Sequence, residues 1–393
     1  MGRQNDMDQF WGYPRKHGRV GTRNYLVVIP TVFCANEVAG KIAQRFKAAR
    51  TLLHHQGCAQ MKPDVERVTR TLIALGSHPN VGAVLLVGLG CESVSLAEVY
   101  SGIKRQGQRI EQISIQKLGG MQKAVQKGTE LARKMEEGLA RMKRKSFPVS
   151  RLVMGIKCGS SDASSGLVSN PAVGAASDLL LSKGGSIVFG ETTEFIGAEH
   201  LLARRAINEE VAARILEIVE RMENRIKATG VDMRGGQPTP GNMQGGITTI
   251  EEKSLGAICK SGARPINGVL EYGETLSQRG LYIVDSPGKE AEILTGLTAA
   301  GANIIVFSTG GGAPQGYPIV PVIKLGGNPE KCRIMEEHID IDASSVLQGK
   351  MTIEQVATKI FSFLQAVGSG QRVKAEILGY DQTVEIYTTG PII

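Results

Sequence analysis

Long apolar runs are missing from these 393 residues, and no stretch approaches the roughly 20 residues a membrane-spanning helix needs. The start, residues 1–11, is polar and lacks an apolar segment followed by a small-residue cleavage site, so no secretory leader is expected and the cytoplasm is the expected compartment. Aromatics are few: one Trp, eight Tyr and nine Phe leave little to stack on bases, and no nucleic-acid motif is present. Six cysteines in so long a chain do not make a disulfide scaffold, which leaves their thiols free for metal or catalysis. There is also no GxxxxGK[ST] and no strand–GxGxxG–helix context, which argues against ATP or NAD.

What is present is a composition of ordinary globular type, with 41% hydrophobic and 21% charged residues, long enough for two domains that each bury a core. The net charge is +8, spread along the chain. Its one dense basic stretch, 133–151, has Leu139 and Met142 at helical spacing and reads as the solvated face of a long helix. A diffuse positive field favours anionic substrates.

Short β-branched runs alternate with amphipathic stretches, which predicts an α/β fold of mostly parallel sheets flanked by helices. Strands are expected at 25–29, 84–87, 152–156, 186–189, 281–284 and 303–307. Helices are expected at 36–50, 93–104, 121–144, 171–182 and 208–227. Turn formers crowd 234–242, which places a boundary between an N-terminal domain, 1–233, and a C-terminal domain, 234–393. The tail, 372–387, reads as a β-hairpin.

Three cysteines stand where an apolar run ends in a glycine-marked turn: Cys58 after Gly57, Cys91 after Gly90, and Cys158 before Gly159. Strand ends of an α/β sheet bring distant residues to one crevice, where ligands bind. Spacings this wide do not suit a zinc knuckle; they suit an iron–sulfur cluster or a mononuclear iron completed by His54 or His55. The bland alternative is that each cysteine is a small buried hydrophobe. Carboxylates recur at the same strand exits: Glu92, Asp162, Glu191 and Glu194, with Glu199 and His200 further on. Elimination beside a carboxylate needs a base for a weakly acidic C–H and an acid or metal for the leaving group, and this inventory supplies both. Glu191 and Glu194 could instead only cap the following helix. Lys157, Lys253 and Lys324 sit in apolar or glycine-rich surroundings where a lysine can pair with a substrate anion or act as a base. The turn Ser308, Thr309, Gly310, Gly311, Gly312 offers backbone N–H groups to an anion.

Together the segments GRVGTRNY at 18–25, FCAN at 33–36, GLGCE at 88–92, KCGSSD at 157–162, SNPA at 169–172, ETTE at 191–194, GAEH at 197–200, PGN at 240–242, EEKSLG at 251–256 and PVIK at 321–324 resemble the altronate and galactarate dehydratase family. The match is to its large catalytic portion, also found in the sulfolactate sulfo-lyase large subunit. The resemblance implies an iron-dependent lyase that takes the C2 proton and a C3 leaving group, water or sulfite, from a 2-hydroxy acid. Dehydration of a sugar acid is the leading expectation, sulfite release the alternative, and a noncatalytic scaffold the third. Within it, His55, Cys58, Cys91 and Cys158 are the expected iron ligands; Lys157, Asp162, Glu191, Glu194 and His200 the acid/base candidates; and Arg23, Asn24, Asn242, Lys253 and Lys324 the candidates for the substrate's anionic group. A separate small subunit of the type of the family's N-terminal domain is implied, and a homo-oligomer is expected. Two departures stand out: the chain enters the large portion almost at once, and a Thr-Gly-Arg-Gly turn is here Thr309, Gly310, Gly311, Gly312.

Overall fold

Residues Tyr25–Pro30 are apolar nearly throughout because this strand is buried on both faces, as in a sheet covered by helices on both sides. Leu26 and Val28 enter one core while Val27 and Ile29 enter another. The computed structural model of the chain describes residues 8–393, so most of the polar start, and with it most of the stretch on which the leader expectation rests, lies outside the described residues, as do the side chains at 234 and 235.

Two parallel sheets carry the α/β fold. The first takes β3 (Tyr25–Pro30), β4 (Ala49–Thr51), β5 (Val81–Gly88) and β6 (Arg109–Ser114) in the order β4-β3-β5-β6. The second has seven strands: β8 (Val153–Gly159), β9 (Ser186–Phe189), β10 (Ile266–Leu270), β11 (Leu281–Val284), β12 (Ile304–Thr309), β13 (Val322–Gly326) and β14 (Ile341–Asp342), in the order β10-β11-β9-β8-β12-β13-β14. A small antiparallel sheet joins β1 (Gln9–Pro14) and β2 (Val20–Gly21), which precede the first sheet in sequence, to β7 (Lys145–Pro148), which falls between the two.

A boundary at 233/234 would cut the larger sheet, because β8 and β9 pair with β12 and β11 from beyond it. The sheets divide between β6 and β8 instead. The turn-rich 234–242 stretch is a connector, fastened where Asn242 Nδ2 donates to Ser161 O at 2.8 Å; its composition marks a loop rather than a seam between cores. The helix expected over 36–50 stops at Ala43, since Phe46 and Ala49 turn into the core and β4 follows. The tail is no hairpin either. Helix Lys374–Leu378 ends at Gly379 in the left-handed conformation, and the remaining chain is held piecewise: Gln56 Nε2 donates to Ile386 O, and Thr389 N and Gly390 N donate to the Asp64 carboxylate.

One core lies between the two sheets. It joins Val27, Ile29, Val84 and Leu86 of the first to Val188, Val284, Ile305 and Phe307 of the second through helices Lys62–Gly76 and Glu290–Ala299. The far face of the larger sheet is covered by helices Asn170–Ser182, Glu209–Lys227 and Ile353–Gly368.

Candidate active site

β8 and β9 are adjacent and parallel, so the residues leaving their C-terminal ends meet. β8 delivers Lys157 and Cys158; the chain leaving β9 delivers Glu191 and Glu194. Glu191 is fully buried at φ 73, a left-handed conformation for a residue with a β-carbon, and its N–H donates to Ser286 Oγ at 3.1 Å. That geometry turns its carboxylate back onto β8. There it accepts from Lys157 Nζ at 2.9 Å, from the Cys158 N–H at 3.0 Å and from Lys260 Nζ.

Lys260 arrives from the turn Cys259–Ser261 that ends helix Ile250–Ile258. This turn lies so close to helix Asn170–Ser182 that a β-carbon at Gly174 would stand 2.2 Å from Cys259 O. Only glycine permits that approach. The Lys260 ammonium, with no exposed surface, is 2.9 Å from Cys158 Sγ and 3.4 Å from Glu194 Oε2. Cys158 Sγ donates to Glu194 Oε2 at 2.9 Å. Lys157 also reaches Glu290 at 3.6 Å and lies 4.8 Å from the centroid of the Phe307 ring. At the rim, Lys253 Nζ is 3.7 Å from Glu194 Oε1 and donates to Gln237 Oε1 at 2.8 Å.

These charges set one another. Burial lowers Lys157 and Lys260, yet Glu191 and Glu194 outweigh it and raise both, with Glu290 adding to Lys157. Burial together with the two glutamates pushes the Cys158 thiol well up, so it stays protonated at neutral pH. Burial raises Glu194, but Lys260, Lys253 and Lys157 overcome that and hold its carboxyl below the usual range. The arrangement is therefore an ionised carboxylate at the edge of a buried lysine–glutamate network. A proton can be taken there.

Cys158, Glu191 and Glu194 offer ligand atoms within 4.8 Å of one another, a spacing that could hold a metal ion. All three already touch the Lys260 ammonium, which stands where a cation would. A neutral thiol and a resident ammonium do not fit a divalent ion unless Lys260 moves away.

Of the expected ligands, Cys58 and Cys91 are exposed on adjoining turns, where Ser93 N donates to Gly57 O at 2.9 Å. Neither they nor His55 joins Cys158 in a group of that spacing among the described residues. His55 Nε2 contacts Gln56 Nε2 at 2.8 Å. His54 has both ring nitrogens engaged, with Pro30 O and the Gln56 N–H, and burial lowers its pKa to about 4.

Several sequence candidates have structural duties instead. All five guanidinium N–H groups of Arg23 are taken, by both oxygens of Glu376 and by the carbonyls of Thr22, Val367 and Gln371, which leaves none for a substrate. Asn24 accepts from Arg15 and donates to Leu139 O. Asp162 accepts from Ser164 Oγ, Ser165 N and Asn328 Nδ2, organising its loop. His200 is exposed on a short helix, outside the cluster. Lys324 is buried on β13, in register with Phe307 and, through it, with Lys157; its Nζ donates to Pro314 O at 3.1 Å. The glycine turn after β12 is filled rather than open: β-carbons at Gly310 and Gly311 would stand 2.1 Å from Asp162 Oδ1 and from Ser160 Oγ. The Asp162 carboxylate at that turn opposes an anion.

Lys260 is the residue the sequence reading missed. Its only signal was a lysine set in Ile258, Cys259, Lys260, Ser261, where the preceding helix turns inward.

The fold is that of an α/β enzyme, with a buried lysine–glutamate network and the Cys158 thiol at the C-terminal edge of a parallel sheet. The chain belongs to the D-galactarate/altronate dehydratase family: residues 149–391 match that family's C-terminal domain and residues 12–140 its second domain. It is 38% identical to the (2R)-sulfolactate sulfo-lyase subunit beta of Chromohalobacter salexigens over 95% of this chain and 96% of that one. It is 35% identical to the altronate dehydratase of Bacillus subtilis over 95% of this chain and 76% of the relative. With the galactarate dehydratase (L-threo-forming) of Escherichia coli it shares 35% identity over 98% and 77%.

Proposed function

We propose that the chain catalyses α,β-elimination from a small 2-hydroxy acid anion, dehydrating a sugar acid such as altronate or galactarate to a 2-keto-3-deoxy acid. The observation that carries this reading is the ionised Glu194 at the edge of the buried Lys157–Glu191–Lys260 network, with Lys253 beside it. Lys253 pairs with the substrate carboxylate. Glu194 takes the C2 proton; the C–H electron pair becomes the C2–C3 double bond as the C3–oxygen bond breaks. The departing hydroxide takes that proton back from the Glu194 carboxyl and leaves as water, which returns Glu194 to its ionised form, and the resulting enol tautomerises to the keto acid. Lys260 and Lys157 hold Glu191 in place, and their charge helps keep Glu194 ionised.

The iron implied by the family resemblance does not fit the Cys158 group as it stands, so no step is assigned to it. Its remaining thiol donors are Cys58 and Cys91. Iron analysis of anaerobically purified Cys58→Ser and Cys91→Ser is the check: wild-type iron content in either excludes that residue.

The second reading, sulfite loss from sulfolactate to give pyruvate, is supported by the match over nearly the whole of the Chromohalobacter subunit. That relative's name as subunit beta also supports a separately encoded small partner here. Assays of 2-keto acid from altronate and galactarate against sulfite from sulfolactate, with and without such a partner, separate the readings. Turnover of none of the three substrates would overturn both.

A further inference from the structure

At the N-terminal ends of the strands, away from the cluster, a cavity of about 190 Å³ opens between the two sheets' units. β8 runs from this cavity, at Val153, to the candidate active site, at Gly159, about 20 Å at the rise of a strand. Arg19, Arg151, Arg279 and His17 line it, and no aspartate or glutamate does. None of the three arginines is paired with a carboxylate among the described residues. Arg19 donates to Ser77 O at 2.9 Å and Gln106 O at 3.3 Å, two of its five N–H groups. Ser77, which also lines the cavity, is 5% exposed and its buried Oγ has no hydrogen-bond partner.

Arg151 and Arg279 are exposed at the mouth, but Arg19 is partly buried, with three of its five N–H groups lacking an acceptor among the described residues. Beside the unsatisfied buried Ser77 hydroxyl, this arrangement is costly unless something supplies acceptors and a donor's partner. Burial already lowers Arg19 from its ordinary value, the direction expected of a cation lacking a counter-ion. The wall at Arg19 and Ser77 belongs to the first unit, and that at Arg151 and Arg279 to the second.

We infer that this cavity is a second, noncatalytic site for a small multivalent oxyanion, phosphate or polycarboxylate, which bridges the two units through Arg19, Arg151, Arg279 and the Ser77 hydroxyl. The anion's oxygens accept from guanidinium groups of both walls, so its binding ties the walls together and stabilises the folded chain.

The test is calorimetric titration of the full chain with inorganic phosphate and, separately, with citrate, in chloride buffer of matched ionic strength. Saturable binding of one anion identifies the source, and its addition raises the melting temperature. Arg19→Gln and Arg279→Gln each weaken binding about tenfold or more, the value of one hydrogen bond to a charged group. Arg279 is exposed, so its variant keeps the test valid should Arg19→Gln fail to fold. Lys253→Gln, at the rim of the candidate active site, leaves binding unchanged. Absence of saturable binding by either anion overturns the inference, as does parent-like affinity in Arg279→Gln or loss of binding in Lys253→Gln.

Discussion

Glu191 holds a backbone conformation that costs a residue with a β-carbon about 1–2 kcal/mol, and three donors around its carboxylate keep it there. The most consequential of these is Lys260. Replacing it with Met leaves two buried glutamates short of a cation, and a loss of about 3–5 kcal/mol in urea unfolding is expected; a loss below about 1 kcal/mol would show that the network tolerates the vacancy. Glu194 gives a pH prediction. Its folded carboxyl lies below the ordinary 4.5, so its contribution to stability is complete above that value and is lost as pH falls through the lower folded value. In Glu194→Gln this part of the acid loss vanishes. Alkylation offers a simpler check. The buried, protonated Cys158 is expected to resist iodoacetamide at neutral pH while the exposed Cys58 and Cys91 react.

At the scale of elements, the approach of helix Asn170–Ser182 to the Lys260 turn is the contact that completes the cluster. Gly174→Ala drives a β-carbon against Cys259 O, and a loss of about 1–3 kcal/mol is expected together with impaired turnover. On β13, burial lowers Lys324 to about 8 from 10.5. Below pH 8 the folded chain carries this charge at a penalty of about 3 kcal/mol, and between the two values folding releases a proton, so stability rises with pH. Lys324→Met should therefore be more stable than the parent at pH 7, with the gap closing as pH rises towards 10.5. A constant gap across that range in urea titrations would contradict it.

Strand exits were legible in the sequence because apolar runs end abruptly in glycine and polar residues; Lys157, Cys158, Glu191 and Glu194 were found that way. Lys260 was not, because the close approach at Gly174 that brings it in depends on which helices pack together. Arg23 and Asn24 belong to a motif of the family, yet their partners, Glu376 and Leu139, come from remote parts of the chain, and no local pattern records that. The three cysteine turns likewise look equivalent in sequence, although two lie on the four-stranded unit and one ends β8 of the larger sheet.

Across the whole molecule, the parallel α/β class followed from the alternation of runs, but the division into units did not. A turn-rich segment reads alike whether it separates two cores or crosses the edge of one sheet. The core shared by the two sheets makes them one mechanical body, so a single cooperative unfolding transition is expected. Two separated calorimetric transitions would contradict a shared core.

The central claim is that Glu194 takes the C2 proton. It is tested most directly by steady-state turnover of Glu194→Gln on whichever of altronate, galactarate or sulfolactate the parent converts, with folding verified by circular dichroism. The account predicts a fall in kcat of about 10²–10⁴-fold with KM little changed, because Lys253 still binds the carboxylate. Parent-like kcat in a folded Glu194→Gln would contradict it.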